Sequence, residues 1–88
     1  MEIILDPSVV ARLKKIKVGQ PKLYAKIHKQ LNLFIQNLIH PSLRTHKLKG
    51  NLDNAWSISI ERNLRMLYYF NENGVVFFTL GKHDEVYK

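Results

Sequence analysis

Four histidines and a large excess of basic residues are the side chains in this sequence that could do chemistry. The histidines are His28, His40, His46 and His83, and the chain has no cysteine. Histidine can accept or donate a proton near neutral pH, because its unperturbed pKa is about 6.5. No two histidines have the helical spacing of a zinc site, and the acidic residues do not cluster with them. The sequence also has no Ser or Cys nucleophile motif and no glycine-rich phosphate loop, which argues against those catalytic classes.

The charge of the chain indicates an anionic partner. Fourteen Lys and Arg residues face seven Asp and Glu residues, which gives a net charge of +7 and an isoelectric point near 9.9. Such an excess favours binding to nucleic acid or to an acidic protein segment.

Length and composition predict one globular domain over residues 1–88. A hydrophobic content of 45% is typical of a folded protein. No apolar run approaches the ~18 residues of a membrane span, and the amino terminus lacks the features of a signal peptide. We therefore expect a soluble cytoplasmic protein.

The first half of the sequence predicts a strand and a helical hairpin. Residues 2–5 form a short apolar run, and Asp6-Pro7 is typical of a helix start, with an acidic N-cap and proline at the first helical position. The pattern breaks around Gly19, and Pro21 begins a second helix that we expect to end at His40-Pro41. The second helix carries one apolar stripe, made by Tyr24, Ile27, Leu31, Phe34 and Leu38.

The second half predicts three strands in quick succession, over residues 55–60, 64–70 and 75–80. Residues 55–60 alternate apolar and small side chains, and Asn73-Gly74 is typical of a hairpin turn. The predicted order is β-α-α-β-β-β. This is an α+β domain in which the helical hairpin packs on one face of an antiparallel sheet.

Three segments, in this order, resemble the RelE/ParE superfamily of toxins from toxin–antitoxin systems. The first is His46-Lys47-Leu48-Lys49-Gly50, the second runs from Trp56 to Tyr68 and contains Arg65, and the third is Gly81-Lys82-His83-Asp84-Glu85-Val86-Tyr87. The first and third segments are most similar to the YafQ branch, whereas the segment that contains Arg65 is more similar to the YoeB branch. The resemblance implies a RelE-like fold and a metal-independent endoribonuclease that cleaves mRNA in the ribosomal A site.

The resemblance also implies which residues act. It makes His46 the general base, His83 the general acid and Arg65 a stabiliser of charge on the phosphate. Lys49, and more weakly Lys47 and Lys82, would bind phosphate, and Tyr87 would stack on or position the nucleotide. No cofactor is implied.

Simpler interpretations exist for the same residues. His46 could be an exposed loop residue, Arg65 could pair with an acidic neighbour across the sheet, and Tyr87 could cap the core. RelE itself has a site richer in Lys and Arg, YafQ has a different residue near Arg65, and YoeB has a carboxylate where His46 falls. The resemblance therefore leaves the identity of the base open.

Two other functions fit the same sequence. A ParE-like toxin would share the fold and bind DNA gyrase without cleaving RNA, and a plain RNA-binding module would bind RNA without arresting growth. The toxin interpretation predicts a cognate antitoxin as partner, together with mRNA and the ribosome.

Overall fold

A computed structural model describes residues 1–48 and 54–82 of the chain. Strand β1 (Glu2–Leu5) leads into helix α1 (Pro7–Gly19), and helix α2 (Pro21–Gln36) follows after one residue. Asp6 is the N-cap of α1, where its carboxylate accepts the backbone N–H of Ser8 at 2.9 Å. A proline occupies the first position of each helix, as the sequence predicts.

Helix α2 ends four residues before the expected end at His40. Asn37 adopts an extended backbone conformation, and its side-chain oxygen accepts the N–H of Ile39 at 3.1 Å. This local hydrogen bond competes with helix continuation, which is why asparagine often ends helices. A short 3₁₀ turn, Pro41–Leu43, then carries the chain towards the sheet.

The sheet consists of β1, β2 (His46–Lys47), β3 (Trp56–Glu61), β4 (Leu64–Phe70) and β5 (Gly74–Lys82). Its strand order over the described residues is β1-β5-β4-β3-β2, and the pairs from β2 to β5 are antiparallel. The prediction of an α+β domain with a helical hairpin on a sheet is confirmed.

Two details of the predicted sheet were wrong. Strand β1 pairs with β5 in parallel, so the sheet is mixed, and the two-residue strand β2 adds an edge that the predicted order omits. Alternation along one strand reports which face is buried and carries no information on the direction of a distant partner. A parallel pair needs a long connection, which the intervening elements supply.

The helices cover one face of the sheet and form the main core there. Phe34 of α2 packs edge-on against Tyr68 and Phe77, with ring centroids 4.9 and 5.2 Å apart. The opposite face carries a smaller cluster made by Leu48, Ala55, Leu67 and Phe78. No helix in the described ranges is long and apolar enough to cross a membrane.

Candidate active site

Arg65 lies on the sheet face opposite the helices. It sits between Leu64 and Met66 of β4, which point into the main core, so strand alternation turns its side chain the other way. The residue is only 9% exposed. Its Nε donates to the hydroxyl of Ser57 at 2.9 Å, and its Nη2 donates to the carbonyls of Ser57 and Arg44. The guanidinium is therefore held in one orientation by neutral oxygens.

The charge of Arg65 has no acidic partner among residues 1–48 and 54–82. The third guanidinium nitrogen, Nη1, makes none of these hydrogen bonds. In the described part of the chain, every buried side-chain nitrogen and oxygen has a hydrogen-bond partner, so Nη1 cannot be buried. Nη1 is therefore accessible to solvent, and Arg65 lines an open groove. A largely buried cation without a counter-ion is costly, and an anion in the groove would offset that cost.

His46 lies on the same face of the sheet. It is the first residue of β2 and pairs directly with Ser57 of β3. Residues that pair directly across antiparallel strands have side chains on the same face, so His46, Ser57 and Arg65 share it. The imidazole is exposed. It can therefore exchange protons with a ligand bound on this face.

The groove beside Arg65 has a volume of about 460 Å³ and is strongly basic. Its lining residues are Arg44, Ser59, Glu61, Arg62 and Arg65. Arg44 adopts a left-handed backbone conformation (φ 45°, ψ 53°) directly after the 3₁₀ turn, and its carbonyl accepts from Arg65. The only carboxylate in this lining, that of Glu61, forms an ion pair with Lys26 at 2.9 Å. The arrangement suits a phosphate-bearing ligand, because guanidinium groups bind phosphate through directed hydrogen bonds.

Arg44 and Arg62 were not among the residues singled out from the sequence. Arg44 belongs to a polar segment, and Arg62 belongs to a tight turn, where arginine is common on any surface. The sequence places Arg62 close to Arg65, which was the available signal. Only the folded structure brings Arg44 to the same groove as these two residues.

Comparison with known proteins identifies solved structures that share this architecture. No family model matches the sequence, and no curated protein matches it either. Solved structures do match. A YoeB–YefM complex from Staphylococcus aureus matches at 23% identity with a TM-score of 0.77, covering 94% of this chain and 97% of the other. A YoeB/ParE toxin from Agrobacterium tumefaciens gives 16% identity and a TM-score of 0.79, covering 94% and 99%. The DinJ–YafQ complex from E. coli gives 15% identity and a TM-score of 0.75, covering 99% and 98%.

This chain has the RelE-like fold. Of the seven residues that the resemblance assigns to the site, two, His46 and Arg65, share the face of the sheet that the helices leave open, although His46 does not line the groove. Three others, Lys49, His83 and Tyr87, lie outside the described residues.

The remaining two predicted residues lie on the other side of the sheet. Lys47 pairs with Trp56, and its ammonium lies 5.9 Å from the centroid of that ring, which packs against the helix-covered core. Lys82 pairs with Leu64 and lines a separate cavity of about 240 Å³ beside Arg12. The structure does not bring Lys47 or Lys82 together with Arg65. Side chains alternate between the two faces of a strand, and both lysines belong to the face opposite Arg65.

The other two histidines have structural contacts. His40 accepts the backbone N–H of Ser42 through Nδ1 at 3.1 Å and so caps the 3₁₀ turn. The ring of His28 contacts that of Tyr24 on α2 in a tilted arrangement, with centroids 5.3 Å apart. Across the described ranges, no group of three or more His, Asp or Glu side chains is arranged to hold a metal ion.

Proposed function

We propose that this protein is the toxin of a toxin–antitoxin system and that it cleaves mRNA. The single observation that carries the proposal is the guanidinium of Arg65, which neutral oxygens hold in place and which lines a basic groove on the same sheet face as His46. The fold supports it, since similar structures include a YoeB–YefM toxin–antitoxin complex and a YoeB/ParE toxin.

The proposed reaction is an internal transfer at one phosphodiester. The 2′-oxygen attacks phosphorus while His46 takes its proton, so a phosphorus–oxygen bond forms to the 2′-oxygen. The bond from phosphorus to the 5′-oxygen breaks, and His83 supplies the proton that this leaving oxygen needs. The products are a 2′,3′-cyclic phosphate and a 5′-hydroxyl. His83 is assigned from the sequence resemblance alone.

Arg65 stabilises the charge that builds up on the phosphate oxygens during this transfer. A donor that is already oriented does not have to reorganise when the charge appears, which is the main source of such catalysis. Ser57 and the Arg44 carbonyl provide that orientation. From the sequence resemblance, Lys49 would add charge and Tyr87 would hold the nucleotide. We leave Lys47 and Lys82 out of the proposed site because they lie on the opposite face.

The proposed partners are a cognate antitoxin and an mRNA that is being translated on the ribosome in the cytoplasm. The similar structures include complexes of YoeB with YefM and of YafQ with DinJ. An antitoxin with an acidic segment would neutralise the groove and block substrate at the same time.

The test is to express the wild type, His46→Ala and His83→Ala in cells and to map new mRNA 5′ ends. His28→Ala is the matched control, since His28 is an exposed histidine on α2. We expect cuts inside translated frames that fall by ~10²-fold or more in either site variant, the usual size of a proton-transfer contribution. His28→Ala should cut like the wild type.

Three outcomes would contradict the proposal. The first is unchanged cutting in both site variants. The second is growth arrest without new 5′ ends, which would indicate a gyrase-binding toxin. The third is RNA binding without growth arrest, which would indicate a plain RNA-binding module.

A further inference from the structure

Two arginines in the groove have no part in the reaction proposed above. Arg44 and Arg62 line the groove beside Arg65, and both side chains are exposed. Neither guanidinium donates a hydrogen bond or forms an ion pair in the part of the chain that the structure describes. A guanidinium can bind phosphate through two parallel hydrogen bonds. The groove therefore has more capacity for anions than one phosphate held at Arg65 would use.

One acidic residue at the groove reduces its positive charge. Glu61 lines both the groove and the separate cavity beside Arg12, and its Oε1 accepts from Nζ of Lys26 at 2.9 Å. Lys26 belongs to α2 and is not a lining residue. The side chains of this pair are 58% and 41% exposed, and ion pairs in such positions contribute little to folding. The main consequence of the pair is therefore electrostatic, since it offsets the negative charge of Glu61.

We propose that Arg44 and Arg62 form a second phosphate-binding subsite, and that Lys26 keeps it cationic by pairing with Glu61. The ligand is the phosphodiester next to the scissile one on a single nucleic-acid strand. This rests on the proposed function, because it takes Arg65 as the contact of the scissile phosphate. Contacts to phosphates set the register of a strand without reading its bases. The subsite thus holds the scissile bond in place for many sequences.

The first test measures binding of a short DNA oligonucleotide over a range of salt concentrations. DNA lacks the 2′-hydroxyl, so it can bind without being cleaved. For a single strand, each phosphate contact contributes about 0.7 to the slope of log affinity against log salt. Arg44→Gln and Arg62→Gln should each lower the slope by about 0.7. Lys29→Gln, an exposed lysine on α2 away from the groove, should keep the wild-type slope.

The second test concerns Lys26 and uses the same oligonucleotide at low salt. Lys26→Gln should weaken binding about fivefold more than Lys29→Gln, the effect of one unit charge at ~4 Å in water. Both variants lose one positive charge, so the difference between their affinities measures the effect of leaving the Glu61 carboxylate without Lys26. Adding Glu61→Gln to Lys26→Gln should restore the affinity to that of Lys29→Gln or above.

Three results would overturn the inference. These are wild-type slopes in both arginine variants, equal affinities for Lys26→Gln and Lys29→Gln, and no binding of the oligonucleotide by the wild type. If the wild type cleaves mRNA and the slopes do not change, the second subsite is wrong and the nuclease proposal stands. If the slopes change as expected and no cleavage occurs, the subsite is supported and the nuclease proposal fails.

Discussion

The hydrogen bond between Ser57 and Arg65 gives the sharpest prediction about this site. Ser57 is fully buried, and its hydroxyl accepts from Nε of a guanidinium that is 9% exposed. Ser57→Ala removes the acceptor and leaves a charged donor without a replacement in the strand beside it. Alanine fits the space of serine, so packing is unchanged. The cost of the substitution therefore comes from the lost polar contact.

The magnitude follows from the charge on the donor. A hydrogen bond to a charged group contributes about 1.5–3 kcal/mol, and stranding such a donor costs a similar amount. We expect Ser57→Ala to lower the free energy of unfolding by about 1.5–3 kcal/mol. Replacing both partners by apolar side chains is often close to neutral. In the Arg65→Met background, Ser57→Ala should therefore cost at least about 1 kcal/mol less than it does in the wild type.

The assay is urea unfolding of the wild type, the two single variants and the double variant. Fluorescence of Trp56, the single tryptophan and a half-buried residue of β3, reports the transition. A coupling free energy of at least about 1 kcal/mol between positions 57 and 65 is expected. Additive effects would refute the reasoning, because they would mean that Ser57 does not hold the Arg65 guanidinium.

Three further predictions concern the scaffold around the site. Gly74→Ala should lower the melting temperature sharply in a thermal melt, because the added Cβ would lie 2.0 Å from the carbonyl oxygen of Glu2 on the paired strand, and an unchanged value would contradict that close approach. Gln30→Met should cost about 1–3 kcal/mol in urea unfolding, since the buried amide of Gln30 donates to the carbonyls of Ser42 and Ser59; a neutral effect would show that these carbonyls need no such partner. Burial raises the pKa of Tyr68 from 10.0 to about 12, so the folded state keeps a proton that the unfolded chain loses. Between pH 10 and 12 the wild type should lose stability relative to Tyr68→Phe, and parallel pH profiles of the two proteins would contradict this burial effect.

Local patterns were sufficient for much of the scaffold. The apolar stripe from Tyr24 to Phe34 predicted which side of α2 packs on the sheet, because a helix repeats every 3.6 residues. The position of Arg65 between two core residues predicted the face it occupies, because a strand repeats every two. Both predictions depend only on near neighbours in the sequence.

The groove and the sheet edges depend on distant neighbours. The parallel pairing of β1 with β5 joins residues more than seventy positions apart, and nothing within either strand specifies it. Strand β2 is too short to show an alternating pattern. Arg44 and Arg62 come together only because a left-handed residue after the 3₁₀ turn and the turn between β3 and β4 end at the same groove. The same short strand places Lys47 on the opposite face from His46, because neighbouring residues of a strand point to opposite faces. The sequence motif contains both residues and does not show this separation.

The most direct test of the central claim is the rate at which the Arg65→Met variant cleaves mRNA on translating ribosomes, measured beside its urea unfolding curve. If Arg65 stabilises the charge on the phosphate, cleavage should fall by about 10²–10³-fold, the usual loss on removing one such donor, while the variant stays folded. Cleavage at the wild-type rate by a folded Arg65→Met protein would contradict the account.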